Sequence, residues 1–194
     1  IRLSLVGSEM CITDRDVNMD MTSTFTCGYG YIKWRNVTKE DELSASGDAY
    51  TSIDFPLFRT ADAYLMAAEA ILRGASGTKS EALGYVNEVR TRAYMSGKYA
   101  KNGVRSDVSG EIGANELDLD FLLLERQKEL ASELIRRTDL IRFGKYTKGN
   151  NWDWKNGVRL GEDVDDKYNL FPIPESELTN NPTLVQNDGY KVIK

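Results

Sequence analysis

The sequence predicts a mostly α-helical protein, built from tetratricopeptide-like helix pairs (an α–α superhelix) with loop-rich, irregular segments and little β structure. Three observations lead there. Residues 58–73, FRTADAYLMAAEAILR, place Ala61, Tyr64, Leu65, Ala68 and Leu72 at i, i+3, i+4, i+7 and i+11, one face of a helix. Residues 80–94 present Ala82, Val86, Val89 and Ala93 in the same way. Between them stand Gly74 and Gly77, the residue type that ends helices. Ala63, Ala67 and Ala70 widen the first face with small side chains, so a second helix can approach closely. A single pair of this kind cannot bury its own apolar face, and such arrays need about three or more units. The chain is therefore expected to be the end of a longer protein.

The elements follow in order. Residues 1–54 show no helical period. Thr26 to Val37, TCGYGYIKWRNV, alternates in part and is aromatic and β-branched, which predicts a strand or hairpin. Asp41 to Ser52 reads as an exposed loop. In the helix pair, Ser80 is the expected cap of the second helix. Lys98 to Gly113 is polar and glycine-rich, hence a loop. Asp118 or Asp120 caps a long third helix, FLLLERQKELASELIRR, with Leu123, Leu130 and Leu134 inward. Thr138 and Asp139 restart a short helix that ends near Gly144, and residues 147–169 return to loop. In LFPIP, Pro172 and Pro174 lack N–H groups and push Phe171 and Ile173 into extended conformations. That segment should bury Leu170, Phe171 and Ile173 yet stay out of any sheet interior. One helical turn starts after Pro174, and Asn181-Pro182 and Asn187-Asp188-Gly189 make turns.

Bulk properties narrow the function. A chain of 194 residues can bury roughly 70% of the surface its unfolded form exposes. Its 25 basic and 30 acidic residues give a net charge of −5, with no basic run to suit nucleic acid or an anionic membrane. No apolar stretch approaches a membrane span. Histidine is absent, which removes Ser-His-Asp and Cys-His catalysis and the common His-ligated zinc and di-iron sites. Cys11 and Cys27 suit one disulfide or two buried thiols equally well.

Charged clusters read as structure. Glu125, Glu129 and Glu133 stand at i, i+4 and i+8, but di-metal helix sites add a histidine that this chain lacks. Arg126, Lys128, Arg136 and Arg137 lie within reach, predicting a helix-surface ion-pair network. Asp163, Asp165 and Asp166 offer oxygens to calcium without the glycine and glutamate of an EF-hand loop, so a solvated loop is the better reading. Arg59, Asp62 and Glu69 suit a buried arginine–carboxylate network tying helices together. A glycoside hydrolase would need two carboxylates flanking a cleft, and nothing pairs them. No catalytic residue, metal or cofactor is assigned, and the protein is not expected to be an enzyme.

Aromatic residues carry the functional signal. Trp34 stands beside Tyr29 and Tyr31, while Trp152 and Trp154 stand in the 147–169 loop. Flat indole faces stack on sugar rings while polar neighbours take the hydroxyls. The candidate carbohydrate contacts are Trp34, Tyr31, Trp152 and Trp154.

The segments FPLFRTADAYLMAAEA, EALGYVNEVRTRA, ERQKELASELIRRTDLIRFGKY and LFPIPESEL–NP–L–QNDGY occur in this order across residues 55–190. Together they resemble the C-terminal portion of the SusD/RagB family, and GYGYIKW resembles the segment before its helix more loosely. The resemblance implies a tetratricopeptide-like scaffold in a surface-exposed outer-membrane lipoprotein. Such a protein would capture oligosaccharides for a SusC-like TonB-dependent transporter, held by an N-terminal lipid anchor lying before Ile1. It implies a loop- and strand-rich segment at 1–54, a helical scaffold at 55–146, and a loop and C-terminal strap at 147–194. The chain departs from the family at Leu134-Ile135, often Gly-His, and at Asp188, usually proline. Trp152 and Trp154 resemble a family W-x-W-K-G element, which points to a scaffold role and leaves Trp34 the best single candidate for ligand contact. The alternative function is a tetratricopeptide-like scaffold that binds protein and no sugar.

Overall fold

The computed structural model describes residues 54–95 and 110–191. The strand or hairpin expected at 26–37 and the loop at 41–52 lie outside these residues, as do Cys11, Cys27, Tyr31 and Trp34. The described residues form α1 (Thr60–Leu72), α2 (Lys79–Met95), α3 (Leu119–Glu129), α4 (Arg136–Arg142) and α5 (Glu175–Asn180). Two 3-10 turns (Lys155–Gly157 and Asp166–Asn169) complete them, and no strand occurs among the described residues. The chain divides into two compact units, one ending at Glu133 and the other beginning at Leu134.

In the first unit, α1 stops where glycine permits it. Gly74 takes a left-handed φ of 100°, its N–H donates to the Ile71 carbonyl (3.0 Å), and the Ala75 N–H reaches back to Ala70 (2.9 Å). These bonds satisfy carbonyls that the helix end would leave bare. The cap of α2 is Thr78, two residues before the expected Ser80. The Glu81 N–H donates to Thr78 Oγ1 (3.2 Å) and the Thr78 N–H donates to Glu81 Oε2 (2.6 Å). Only Thr78 has a glutamate three residues on, which makes the exchange reciprocal.

The short connection turns α2 back along α1. Ala61, Leu65 and Ala68 of α1 bury against Ala82, Val86 and Val89 of α2, with Leu117 and Leu122 closing the cluster. Tyr64 and Tyr85 stack at the edge, ring centroids 5.6 Å apart. Asp118 caps α3 as expected, its carboxylate accepting from the Phe121 N–H at 2.7 Å.

The long third helix is shorter than its sequence suggests. It ends at Glu129, and the chain turns through 130–135 before α4 begins. Leu123 and Leu130 are buried, but Leu134 is 86% exposed. Ser132 (φ 63°) and Leu134 (φ 61°) are both left-handed, flanking Glu133, whose carboxylate is held by Arg59 at 2.8 Å. A distant ion pair thus overrides the helical preference of ELASEL. The left-handed form costs a non-glycine residue about 1–2 kcal/mol, whereas glycine adds about 0.4–1 kcal/mol of unfolded-state entropy. Leu134→Gly should therefore stabilise the protein by about 0.5–1 kcal/mol and raise its melting midpoint by about 2 °C. A lowered midpoint in a calorimetric scan would count against this account.

In the second unit, α4 ends on Gly144 (φ 68°), with Lys145 N–H bonded to Leu140 O (2.7 Å) and Gly144 N–H to Ile141 O (2.9 Å). LFPIP runs extended, and the tail supplies its hydrogen-bond partners through side chains. The Gln186 amide pairs with both backbone groups of Ile173 (2.8 and 2.9 Å). Asn187 Nδ2 donates to Phe171 O (2.8 Å), and the Tyr190 hydroxyl meets Leu170 O (2.8 Å). A segment poor in N–H groups is thereby fastened without a sheet. Its burial differs from expectation. Leu170 is exposed, Ile173 is half-buried, and Phe171 is 71% exposed. The Arg137 guanidinium lies 4.2 Å from the Phe171 ring centroid, anchored by the Tyr168 carbonyl at 2.9 Å. A cation–π contact, not core packing, occupies that ring.

Candidate functional site

The glutamates of α3 and its following turn are buried, not displayed. Glu125 pairs with Arg90 (2.6 Å) and with Lys128 (3.5 Å). Glu129 is shared by Arg59 and by Arg92 (2.6 Å), and Glu133 binds Arg59 (2.8 Å). Arg126 reaches across to Asp62 on α1, at 2.8 Å. The expected helix-surface network thus keeps its Lys128–Glu125 pair, while Arg59 at the start of α1 and Arg90 and Arg92 of α2 add pairs between helices that the sequence pattern does not show. Burial disfavours the Arg59 charge, but its hydrogen bonds to Glu133 and Glu129 outweigh that and hold the guanidinium above its ordinary range. Arg59 and Asp62 tie helices together as expected, while Glu69 pairs with Arg73 one turn on at the end of α1, at 2.9 Å. Carboxylates committed to cations in this way are poorly placed for proton transfer.

The aspartates of the second unit brace their own loop. Asp163 accepts from the Gly149 N–H (3.2 Å), and Asp165 accepts from the Lys167 N–H (2.9 Å). Asp166 accepts from Lys148 Nζ and Thr147 Oγ1, both at 2.7 Å. The Lys148 hydrogen bond, then the Thr147 one, keeps the Asp166 carboxyl below its usual range. Among the described residues no group of three or more Cys, Asp or Glu side chains is arranged to hold a metal. Nearby, Asp165, Asp166, Lys167, Gln186, Asn187 and Asp188 border an open depression of about 550 Å³.

Trp152 and Trp154 lie on a loop whose base is closed by the Val164 N–H donating to Thr147 O (2.9 Å). At its centre is Lys155, only 4% exposed. Its ammonium donates to Thr147 O (3.2 Å), Asn150 O (3.0 Å) and Asn151 Oδ1 (3.3 Å). Gly161 (φ 71°) must be glycine, because a Cβ there would come within 2.3 Å of the Trp152 carbonyl. Trp152 is 43% exposed, with Tyr146 at 6.3 Å and the Lys155 ammonium at 4.9 Å from its ring centroid. Trp154 is 58% exposed on a left-handed backbone (φ 65°). The structure therefore brings two of the four candidate aromatics together on one ordered loop, and the other two, Trp34 and Tyr31, lie outside the described residues. Sequence reasoning missed Lys155. Its place between two tryptophans and a glycine in W-x-W-K-N-G was the available signal.

Comparison with known proteins adds what geometry alone does not. The model of the SusD family matches residues 7–190. This chain belongs to the SusD family. The starch-binding protein SusD of Bacteroides thetaiotaomicron is 38% identical over 178 residues, which is 91% of this chain and 29% of that protein. The chain thus spans less than a third of that relative. A SusD superfamily protein from Bacteroides vulgatus superposes with a TM-score of 0.51 at 30% identity, over 70% of this chain and 28% of that one. Surface glycan-binding protein A from Bacteroides thetaiotaomicron superposes at 0.54 with 25% identity, over 89% and 35%. The α1–α2 pair and α3 accordingly form part of a SusD-type, tetratricopeptide-like helical scaffold.

Proposed function

We propose that this chain is the C-terminal portion of a cell-surface glycan-binding lipoprotein that captures oligosaccharides. It would deliver them to a SusC-like TonB-dependent transporter of the outer membrane. The family match across residues 7–190 carries this reading. In this organisation, residues 1–54 form a loop- and strand-rich segment, 55–146 the helical scaffold and 147–194 the loop and tail. A lipid anchor belonging to the N-terminal part of the full-length protein would hold it at the surface. The ion-paired acids favour capture over hydrolysis.

Trp34, Tyr31, Trp152 and Trp154 remain the proposed sugar contacts within this portion. Native gels containing soluble polysaccharides test them in the full-length protein. Trp34→Ala and Trp154→Ala should each cost about 1–3 kcal/mol of binding, the scale of one lost aromatic stacking surface. Trp152→Ala should lower stability more than affinity, since Tyr146 and Lys155 already engage that ring. Retardation by no polysaccharide would remove the capture function and favour a protein-binding scaffold. Release of reducing ends over time would make the protein an enzyme.

A further inference from the structure

We infer that Lys155 is the positioning residue that presents Trp154 to a saccharide ring, an assignment that rests on the capture function proposed above. The Lys155 ammonium is buried among neutral oxygens, and no carboxylate among the described residues pairs with it. Burying a cation without a counter-charge is unfavourable, and an apolar side chain would fill the same space at less cost. What the ammonium does there is tie residues 147, 150 and 151 to the residue that immediately follows Trp154.

The backbone on either side of this tie is strained. Trp154 (φ 65°) and Asn156 (φ 60°) are both left-handed without being glycine. Further bonds hold that shape, with the Trp154 N–H donating to Arg159 O (3.2 Å) and the Gly157 N–H donating to Trp154 O (2.9 Å). Yet the Trp154 ring gains no ring or cation contact from it among the described residues, and stands largely in solvent. Trp152 differs, because the ammonium already draws on the π density that sugar C–H groups would use. An unfavourable conformation that keeps a large ring exposed is the arrangement of a preorganised contact. The chemistry it suits is the apolar C–H face of an uncharged sugar.

The test uses the full-length protein labelled with 5-fluorotryptophan, beside native gels containing soluble starch, laminarin or xylan. Trp152→Phe and Trp154→Phe assign the two fluorine resonances. Lys155→Met keeps the aliphatic stem and removes the ammonium. In it the Trp154 resonance should move toward the free amino acid while tryptophans outside this loop keep their shifts. Affinity for the retarding polysaccharide should fall at least fivefold at a temperature where circular dichroism reports folded protein. Asn151→Ala removes one acceptor and should change both readouts in the same direction by less. It carries the test alone if Lys155→Met does not fold. An unmoved Trp154 resonance overturns the assignment, and so does a displaced one with undiminished affinity. Wild-type protein that no polysaccharide retards defeats both the capture function and the assignment. Equal binding by wild type and Lys155→Met defeats only the assignment.

Discussion

Replacing Arg126 by Met should destabilise the first unit by about 3–5 kcal/mol, the scale for breaking a buried ion pair by removing one partner. The guanidinium is almost wholly enclosed, and Asp62 is nearly as covered, the two meeting at 2.8 Å. Methionine fills the volume of the arginine stem, so little of the loss would come from a cavity. It comes from leaving the Asp62 carboxylate in a low-dielectric site without a counter-ion. The double variant Asp62→Leu, Arg126→Met separates these causes. It should recover most of the loss, since apolar replacements of a buried pair are often neutral or better. Urea unfolding checks both, and a single variant within 1 kcal/mol of wild type would contradict the account.

Leu65→Ala should cost about 2–5 kcal/mol. Leu65 has no exposed surface, and its cluster neighbours include Ala61, Ala68 and Ala82. Alanines cannot swing into the space that a lost isobutyl group leaves, so the cavity should persist and the cost should fall in the upper half of that range. The urea midpoint should drop with little change in slope, because the surface exposed on unfolding hardly alters. Leu134→Ala serves as the contrast. That leucine is in solvent, so its truncation should change the stability by less than about 0.5 kcal/mol.

The helix pair was legible because its causes are local. The spacing of Ala61, Leu65 and Ala68, and of Ala82, Val86 and Val89, marks the buried faces directly. The Asp118 cap and the stop at Gly74 are also written within a few residues. The failures share one cause, which is contact with residues far along the chain. Glu125, Glu129 and Glu133 looked like members of a surface network because only neighbours on their own helix are visible in a pattern. Their main partners are Arg90, Arg59 and Arg92, 35 to 74 positions away. The early end of α3 has the same origin, since nothing in ELASEL marks Ser132 or Leu134 as left-handed. The hydrophobicity of Phe171 predicts a core position, while its ring is held by Arg137. For the candidate site, indole chemistry singles out Trp152 and Trp154, and the lysine of W-x-W-K-N-G is visible there, but its burial against the Trp152 ring depends on Thr147, Asn150 and Asn151 earlier in the loop.

The interhelical ion pairs also set the register of α3. Consider a slip of one turn in either direction. Moved one way, Phe121 would take the place of Glu125 opposite Arg90, leaving a covered guanidinium without its carboxylate. Moved the other way, Glu129 would take the place of Glu125, and Arg59 and Arg92 would lose their partner on the helix, which ends at that residue. In both cases a leucine, Leu122 or Leu130, would replace Arg126 and face the Asp62 carboxylate. Leucines repeated along a helix tolerate such a shift, because one leucine packs much like the next. Charges of alternating demand do not. The network therefore selects a single alignment among several that hydrophobic packing alone would leave close in energy.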